Sequence, residues 1–144
     1  ASLRRLKETN KKRIKFVKTL INILDKKSVK SCKVLNFHDG YAPFFLPILY
    51  NKSVLKISKK NFAKTLSSEG IPLGVDYGCL VSTWNWAKKY LKSKFNSINA
   101  IKTRDDCFHL YLHENYGIKE ANDIVKAILK IENFYEKTRY PITR

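Results

Sequence analysis

Residues 107–112 read Cys107-Phe108-His109-Leu110-Tyr111-Leu112, and this stretch decides the class of fold. Cys107, His109 and Tyr111 alternate with Phe108, Leu110 and Leu112, the period of a strand. From Ile118 to about Tyr135 the period changes: Ala121, Ile124, Val125, Ile128, Leu129 and Ile131 form the apolar stripe of a long helix. A strand feeding such a helix predicts a mixed α/β fold.

The same reading extends outward. Asn99 to Arg104 is a short helical turn, and Trp84 to Phe95 reads as a helix with Trp84, Ala87, Tyr90 and Leu91 on one face. Residues 78–83 are a loop, and Ile71 to Tyr77 is a short strand interrupted by Pro72 and Gly74. Lys59 to Ser68 is a helix with Ser58 as N-cap, Phe62, Ala63 and Leu66 facing inward, and Gly70 as C-cap. Pro43 to Tyr50 is an apolar strand closed by a turn at Asn51-Lys52-Ser53. Pro47 has no N–H to give, so it belongs at an edge or a bulge. Residues 28–42 are irregular, with a turn at Asp39-Gly40. Residues 2–24 carry Leu3, Leu6, Ile14, Val17, Leu20, Ile21 and Leu24 at helical spacing, and Glu136 to Arg144, with Pro141, reads as a loose tail. The order predicts an α/β fold of the α+β type: a small, mainly antiparallel sheet with helices packed on one face.

At 144 residues the chain suits one core, and its 44% apolar and 12% aromatic content excludes a disordered segment. It contains no methionine, and the helical pattern starts almost at Ala1, which predicts a piece of a larger protein. The net charge of +17 invites a nucleic-acid reading. Against it, Lys outnumbers Arg by 23 to 6, the lysines are spread along the chain, and Arg is the residue of bidentate readout. The densest basic cluster, residues 4–18, reads as the solvated face of the first helix. Cys32, Cys79 and Cys107 are odd in number and widely spaced, unlike a disulfide framework or a zinc site, and reduced thiols suit the cytoplasm. The longest apolar run, Ala42 to Tyr50, is far too short for a membrane span.

No self-sufficient catalytic motif is present: no GxGxxG, no GxSxG, no phosphate loop and no HExxH. His109 and His113 stand on a strand and its exit, too far apart for an easy shared metal ligand. Asp105-Asp106 reads as a polar turn rather than a catalytic pair. The most suggestive stretch is Asp76-Tyr77-Gly78-Cys79, polar and aromatic groups on the loop leaving a strand. Loops on a rigid scaffold carry binding, so Asp76, Tyr77 and Cys79 are the candidate substrate-binding residues. The reading assigns no catalytic, cofactor-binding or metal residue.

Four blocks carry a family resemblance. They are residues 6–13, with Asn10 and Arg13 three apart; Tyr41 to Leu49 with the helix Lys59 to Ser68; Glu69-Gly70-Ile71-Pro72-Leu73-Gly74-Val75-Asp76-Tyr77; and Phe108 to Leu112 with the helix from Ile118. In order and spacing they resemble the C-terminal small domain of the DegT/DnrJ/StrS-type sugar aminotransferases, enzymes that use pyridoxal phosphate. The resemblance implies a small domain over residues 1–136, with 1–25 as its linking helix and 137–144 as tail. It also implies a homodimeric fold-type I parent that transfers an amino group, by analogy from glutamate, to a nucleotide-linked keto-sugar. The Schiff-base lysine and the phosphate site would lie on a large domain outside this chain, and the fragment alone would be inactive. Tyr77 and its neighbours match the position that shapes the sugar-nucleotide pocket.

Where relatives have a Pro-Leu-His-type loop after the tyrosine, this chain has Gly78-Cys79-Leu80-Val81, and His113 stands where relatives have proline. These departures leave the sugar open and are compatible with an inactive relative. The rival from another class is a basic binding module for nucleic acid or an acidic partner, with lysines and aromatics gathered on one face.

Overall fold

The first helix, α1 (Ser2–Lys26), spans 25 residues, about 37 Å at the α-helical rise. Only its second half meets the body of the protein: Phe16, Val17, Leu20 and Leu24 are buried, whereas Leu3 is 85% exposed and Leu6 50%. The computed structural model describes residues 2–91 and 97–139. After α1 come β1 (Cys32–Val34), β2 (Phe45–Tyr50), the single turn α2 (Lys52–Leu55), α3 (Lys59–Ser68), β3 (Leu73–Gly74), α4 (Ile98–Asp106), β4 (Cys107–Tyr111) and α5 (Ile118–Arg139). The strands form one antiparallel sheet in the order β1-β2-β4-β3, as the sequence predicts for the fold class.

Alternation along the two central strands divides this sheet into unlike faces. Leu46, Ile48 and Tyr50 of β2 and Phe108 and Leu110 of β4 are buried against α1, α3 and α5. Phe62 of α3 sits at the centre, its ring 4.7 Å from Tyr50 and 5.9 Å from Phe108. From α5 come Ala121, Ile124, Val125, Ile128 and Ile131, the stripe read from the sequence. Local signals set α3 as expected. Ser58 Oγ accepts from Asn61 N–H at 3.1 Å, and Gly70 follows the helix at φ 86°, where a side chain would be strained.

Long-range contacts correct the sequence reading in several places. Residues 28–42 are not all irregular, because they contain β1. Glu132, buried on α5, accepts from Lys30 N–H at 3.0 Å and Ser31 N–H at 2.7 Å through one carboxylate oxygen, and Asn51 N–H donates to Ser31 O at 2.8 Å. These bonds start the strand, and Pro47 helps to end it. In an antiparallel pair, one residue's N–H and C=O point to the same neighbour. Leu35 N–H donates to Pro47 O at 3.1 Å, so the N–H that Pro47 lacks lies on the β1 side, just where β1 stops at Val34. Pro47 thus occupies an inner strand at a locally unpaired position.

The expected strand Ile71 to Tyr77 shrinks to Leu73–Gly74, since Pro72 has no donor and the chain turns away after Gly74. The expected helix Trp84 to Phe95 is absent over its described part. Trp84 to Ala87 is a turn, and Lys88–Tyr90 is a single 3-10 turn. Trp84 Nε1–H donates to Gly78 O at 2.9 Å, and the Trp84 ring stacks on Trp86 at 5.4 Å. Side chains two apart diverge on a helix, so this stack requires another backbone path. Residues 92–96 of that expected helix lie outside the described residues. Asp105 and Asp106 end α4 instead of forming a turn. The helix α5 continues through Arg139, so residues 136–139 are not a loose tail, and 140–144 lie outside the described residues.

Candidate functional site

The second face of the sheet carries α4 beside β4, in place of the three helices that cover the first. Along it lie Phe45, Pro47 and Leu49 of β2, paired across the ladder with Tyr111, His109 and Cys107 of β4. The rings form a chain of contacts. Phe45 is 5.1 Å from His109 and 5.6 Å from Tyr77, and His109 is 5.6 Å from Tyr111. Gly74 lies across from His109 on β3, and a Cβ there would collide with the imidazole, so this position needs glycine. A hollow of about 300 Å³ opens on this face, with Phe45, Pro47, Tyr77, Arg104, Cys107 and His109 among its walls.

One buried cation organises the rim. Lys59, at the start of α3, keeps 11% of its side chain exposed. Its Nζ donates to Asp76 Oδ1 at 2.6 Å, to Arg104 O at 2.8 Å and to Cys107 O at 3.0 Å. Lys59 therefore ties the Tyr77 loop to the end of α4 and the start of β4. It also satisfies backbone carbonyls that the end of α4 leaves without helical partners. Arg104 in turn pairs with Asp105 at 2.8 Å.

The three sequence candidates separate. Asp76 reaches the rim, but its carboxylate is bound to Lys59. Tyr77 forms part of the wall. Cys79 is exposed on the following loop and is not among the lining residues. Sequence reasoning missed Lys59, Arg104 and His109 as members of this site. The signal for His109 was present in the alternation, which puts it with Tyr111 on the face opposite Phe108 and Leu110.

Burial lowers the His109 pKa, and the Lys59 charge lowers it further against an opposing effect of Asp76. His109 is thus neutral at neutral pH and offers one donor and one acceptor. Burial first, then Asp106, pushes the Cys107 thiol up. Cys32, buried beside β2, is pushed up to about 12 chiefly by burial. Both are thiols rather than nucleophilic thiolates near neutrality. The arrangement suits recognition of a flat or apolar group with a few hydrogen bonds, and it contains no activated nucleophile.

A pyridoxal phosphate site needs an amine free to form an imine and a cradle for the phosphate. Lys59, the lysine that approaches this hollow, directs its amine at three oxygens of the protein. The described residues of this face do not fit the cofactor by themselves.

A larger hollow of about 590 Å³ is lined by the end of α1, by β1 and by the end of β2. Ser31 and Cys32 on its wall are already engaged, Ser31 N–H with Glu132 and Ser31 Oγ–H with Cys32 Sγ. Among the described residues, no helix is long and apolar enough to cross a membrane.

No family model matches the chain, and no curated protein matches it significantly. Among solved structures, the chain is similar to the X-ray structure of the aminotransferase from Psychrobacter cryohalolentis, with a TM-score of 0.67 and 17% identity. The similarity covers 94% of this chain and 37% of that one. At that identity the likeness concerns the fold. The chain spans just over a third of that chain's length, and its fold is aminotransferase-like.

Proposed function

We propose that this chain is the small domain of an aminotransferase-like protein that works with pyridoxal phosphate, residues 1–25 linking it to a large domain. The observation that carries this reading is the likeness of nearly the whole chain to one part of an aminotransferase. Two features of the molecule support it. The helices α1, α3 and α5 cover one face of the sheet, and the other, with Tyr77, His109 and the smaller α4 around its hollow, is left for a further body. The residues of that face shape a pocket but do not themselves hold the cofactor, which suits a division of labour between domains.

In this reading the large domain supplies the Schiff-base lysine and the phosphate cradle. The substrate is a nucleotide-linked keto-sugar, the amino donor is glutamate, and the assembly is a cytoplasmic homodimer. Tyr77 and His109 form the wall that shuts water out of the pocket, and Asp76 holds Tyr77 in place through Lys59.

The coding sequence upstream of Ala1 tests the proposal. A large domain with a Schiff-base lysine is expected there, and a start codon immediately before Ala1 would sink the reading. Mixing the present chain with pyridoxal phosphate is the second test. No stoichiometric imine absorbance should appear, and imine formation at one lysine would place the chemistry on this chain.

A further inference from the structure

Arg13 stands where α1 meets the body of the protein. Residues 2–12 precede it, a length of about 16 Å at the α-helical rise, and their apolar members Leu3 and Leu6 are exposed. Phe16, almost one turn further on, is buried with its ring 5.4 Å from Tyr116, and the helix is anchored from there to Leu24. Among the described residues, Arg13 is the first of α1 whose side chain has an ion pair or hydrogen bond outside the helix. Its Nη2–H donates to Glu114 Oε2 at 3.3 Å and its Nη1–H to Pro43 O at 3.4 Å. Both are long for a guanidinium, whose bonds to a carboxylate run at about 2.8 Å. Nε is closed to solvent and has no acceptor among the described residues. The ion pair is thus half-made: a fork able to meet two carboxylate oxygens meets one.

We infer that Arg13 is a two-position lock on the direction of the N-terminal part of α1. In the position seen here the guanidinium divides itself between Pro43 and Glu114. In the other, Nε–H and one Nη–H take the two Glu114 oxygens side by side, and Pro43 O is released. A buried N–H is either bonded or costly, so settings between the two are disfavoured and the positions are discrete. The exposed part of the helix is a lever that turns a small shift at Arg13 into a larger one at Leu3. The lock also reaches the open face of the sheet. Pro43 precedes Phe44, whose C=O accepts from Leu112 N–H at 3.3 Å, and Glu114 lies two residues after Leu112. That bond closes the β2–β4 ladder beside its last pair, Phe45 and Tyr111. The direction of α1 is thereby coupled to the row of rings at the candidate site. The lock belongs to this chain, and its use in moving a small domain against a large one rests on the proposed function.

Spin labels on the exposed Cys79 and on Lys7→Cys report the distance across the lock by pulsed electron paramagnetic resonance, Cys32 and Cys107 being buried. The same measurement with Asn22→Cys, on the anchored part of α1, is the control. Two resolved distances are expected from Lys7→Cys and one from Asn22→Cys. Glu114→Gln, with one acceptor oxygen in place of two, should leave Lys7→Cys with a single distance. Arg13→Met should merge the two into one broad distribution, while an unchanged Asn22→Cys distance shows that the variant is folded. Amide exchange at Leu112 should then quicken ahead of that at Leu110. The inference is overturned by a single Lys7→Cys distance with Arg13 and Glu114 intact, by two distances that persist in Arg13→Met, or by a matching split at Asn22→Cys. Unchanged exchange at Leu112 would overturn the coupling to the open face. The distances are read on this chain alone, so they judge the lock separately from the aminotransferase reading. Two positions in a protein with no large domain would sink that reading and leave the lock standing, and a single distance in a competent aminotransferase would do the reverse.

Discussion

The two faces of the sheet are built from alternate residues of the same strands, yet they do different work. Leu46, Ile48, Tyr50, Phe108 and Leu110 are almost without solvent contact, whereas Phe45 and His109 are half-buried and Tyr111 is 51% exposed. The first set is mainly hydrocarbon and interlocks with three helices, so its burial supplies much of the folding free energy. The second set consists largely of rings with polar edges, gathered around a hollow beside the ion pair of a largely buried Lys59 with an exposed Asp76. A face that needed only to be covered would not require a glycine against a neutral histidine. Stability is concentrated on the covered face, and the proposed recognition falls to the open one.

Substitutions can break or sharpen this contrast. The largest effect is expected from Phe108→Ala, which should cost about 4 kcal/mol in denaturant unfolding. Tyr111→Ala, three residues along and on the opposite face, should cost about 1 kcal/mol or less. Equal losses would abolish the distinction. Glu132→Ala comes next, at about 3 kcal/mol, because the buried Ser31 N–H and the partly buried Lys30 N–H lose a carboxylate acceptor. Amide exchange should then accelerate in Cys32–Val34 before it does in β4, and uniform acceleration would show that β1 does not depend on Glu132.

The smallest effect is a pH dependence of the open face. The folded His109 pKa lies below the ordinary value of 6.5, so as pH falls through 6.5 the unfolded chain takes up the proton first. Stability should decline over that interval and level off once the pH is below the folded pKa. His109→Gln should remove this step. The carboxylates Glu114 and Glu120, held below 4.5 chiefly by backbone hydrogen bonds, act only at more acidic pH. A step that survives in His109→Gln would assign it to another group.

Much of the covered face was legible in the sequence, and less of the open one. The stripe of α5, the alternation of β4 and the Ser58 and Gly70 caps of α3 depend on residues a few positions apart, so a linear reading finds them. Tyr77 was found as a loop residue after a strand. Its partners were not: Lys59 looks like any surface lysine until Asp76, Arg104 and Cys107 are brought to it from 17, 45 and 48 residues away. The turn at Trp84 to Tyr90 misled because its apolar spacing suits a helix, while the hydrogen bond to Gly78 and the indole stack hold another path.

By itself the sequence determined the α+β class, the positions of α1, β2, α3, β4 and α5, and the core-facing side chains of α3 and α5, whereas Leu3 and Leu6 of the α1 stripe are exposed. Period and capping are local, and they act before any contact forms between distant segments. Tertiary structure alone decided the existence of β1, the shortening of β3 to two residues, the length of α5 and the assembly of Lys59, Asp76, Tyr77 and His109 around one hollow. Each of these depends on polar partners far apart in the chain, and their pairing is favoured only after the core has brought them together and excluded water.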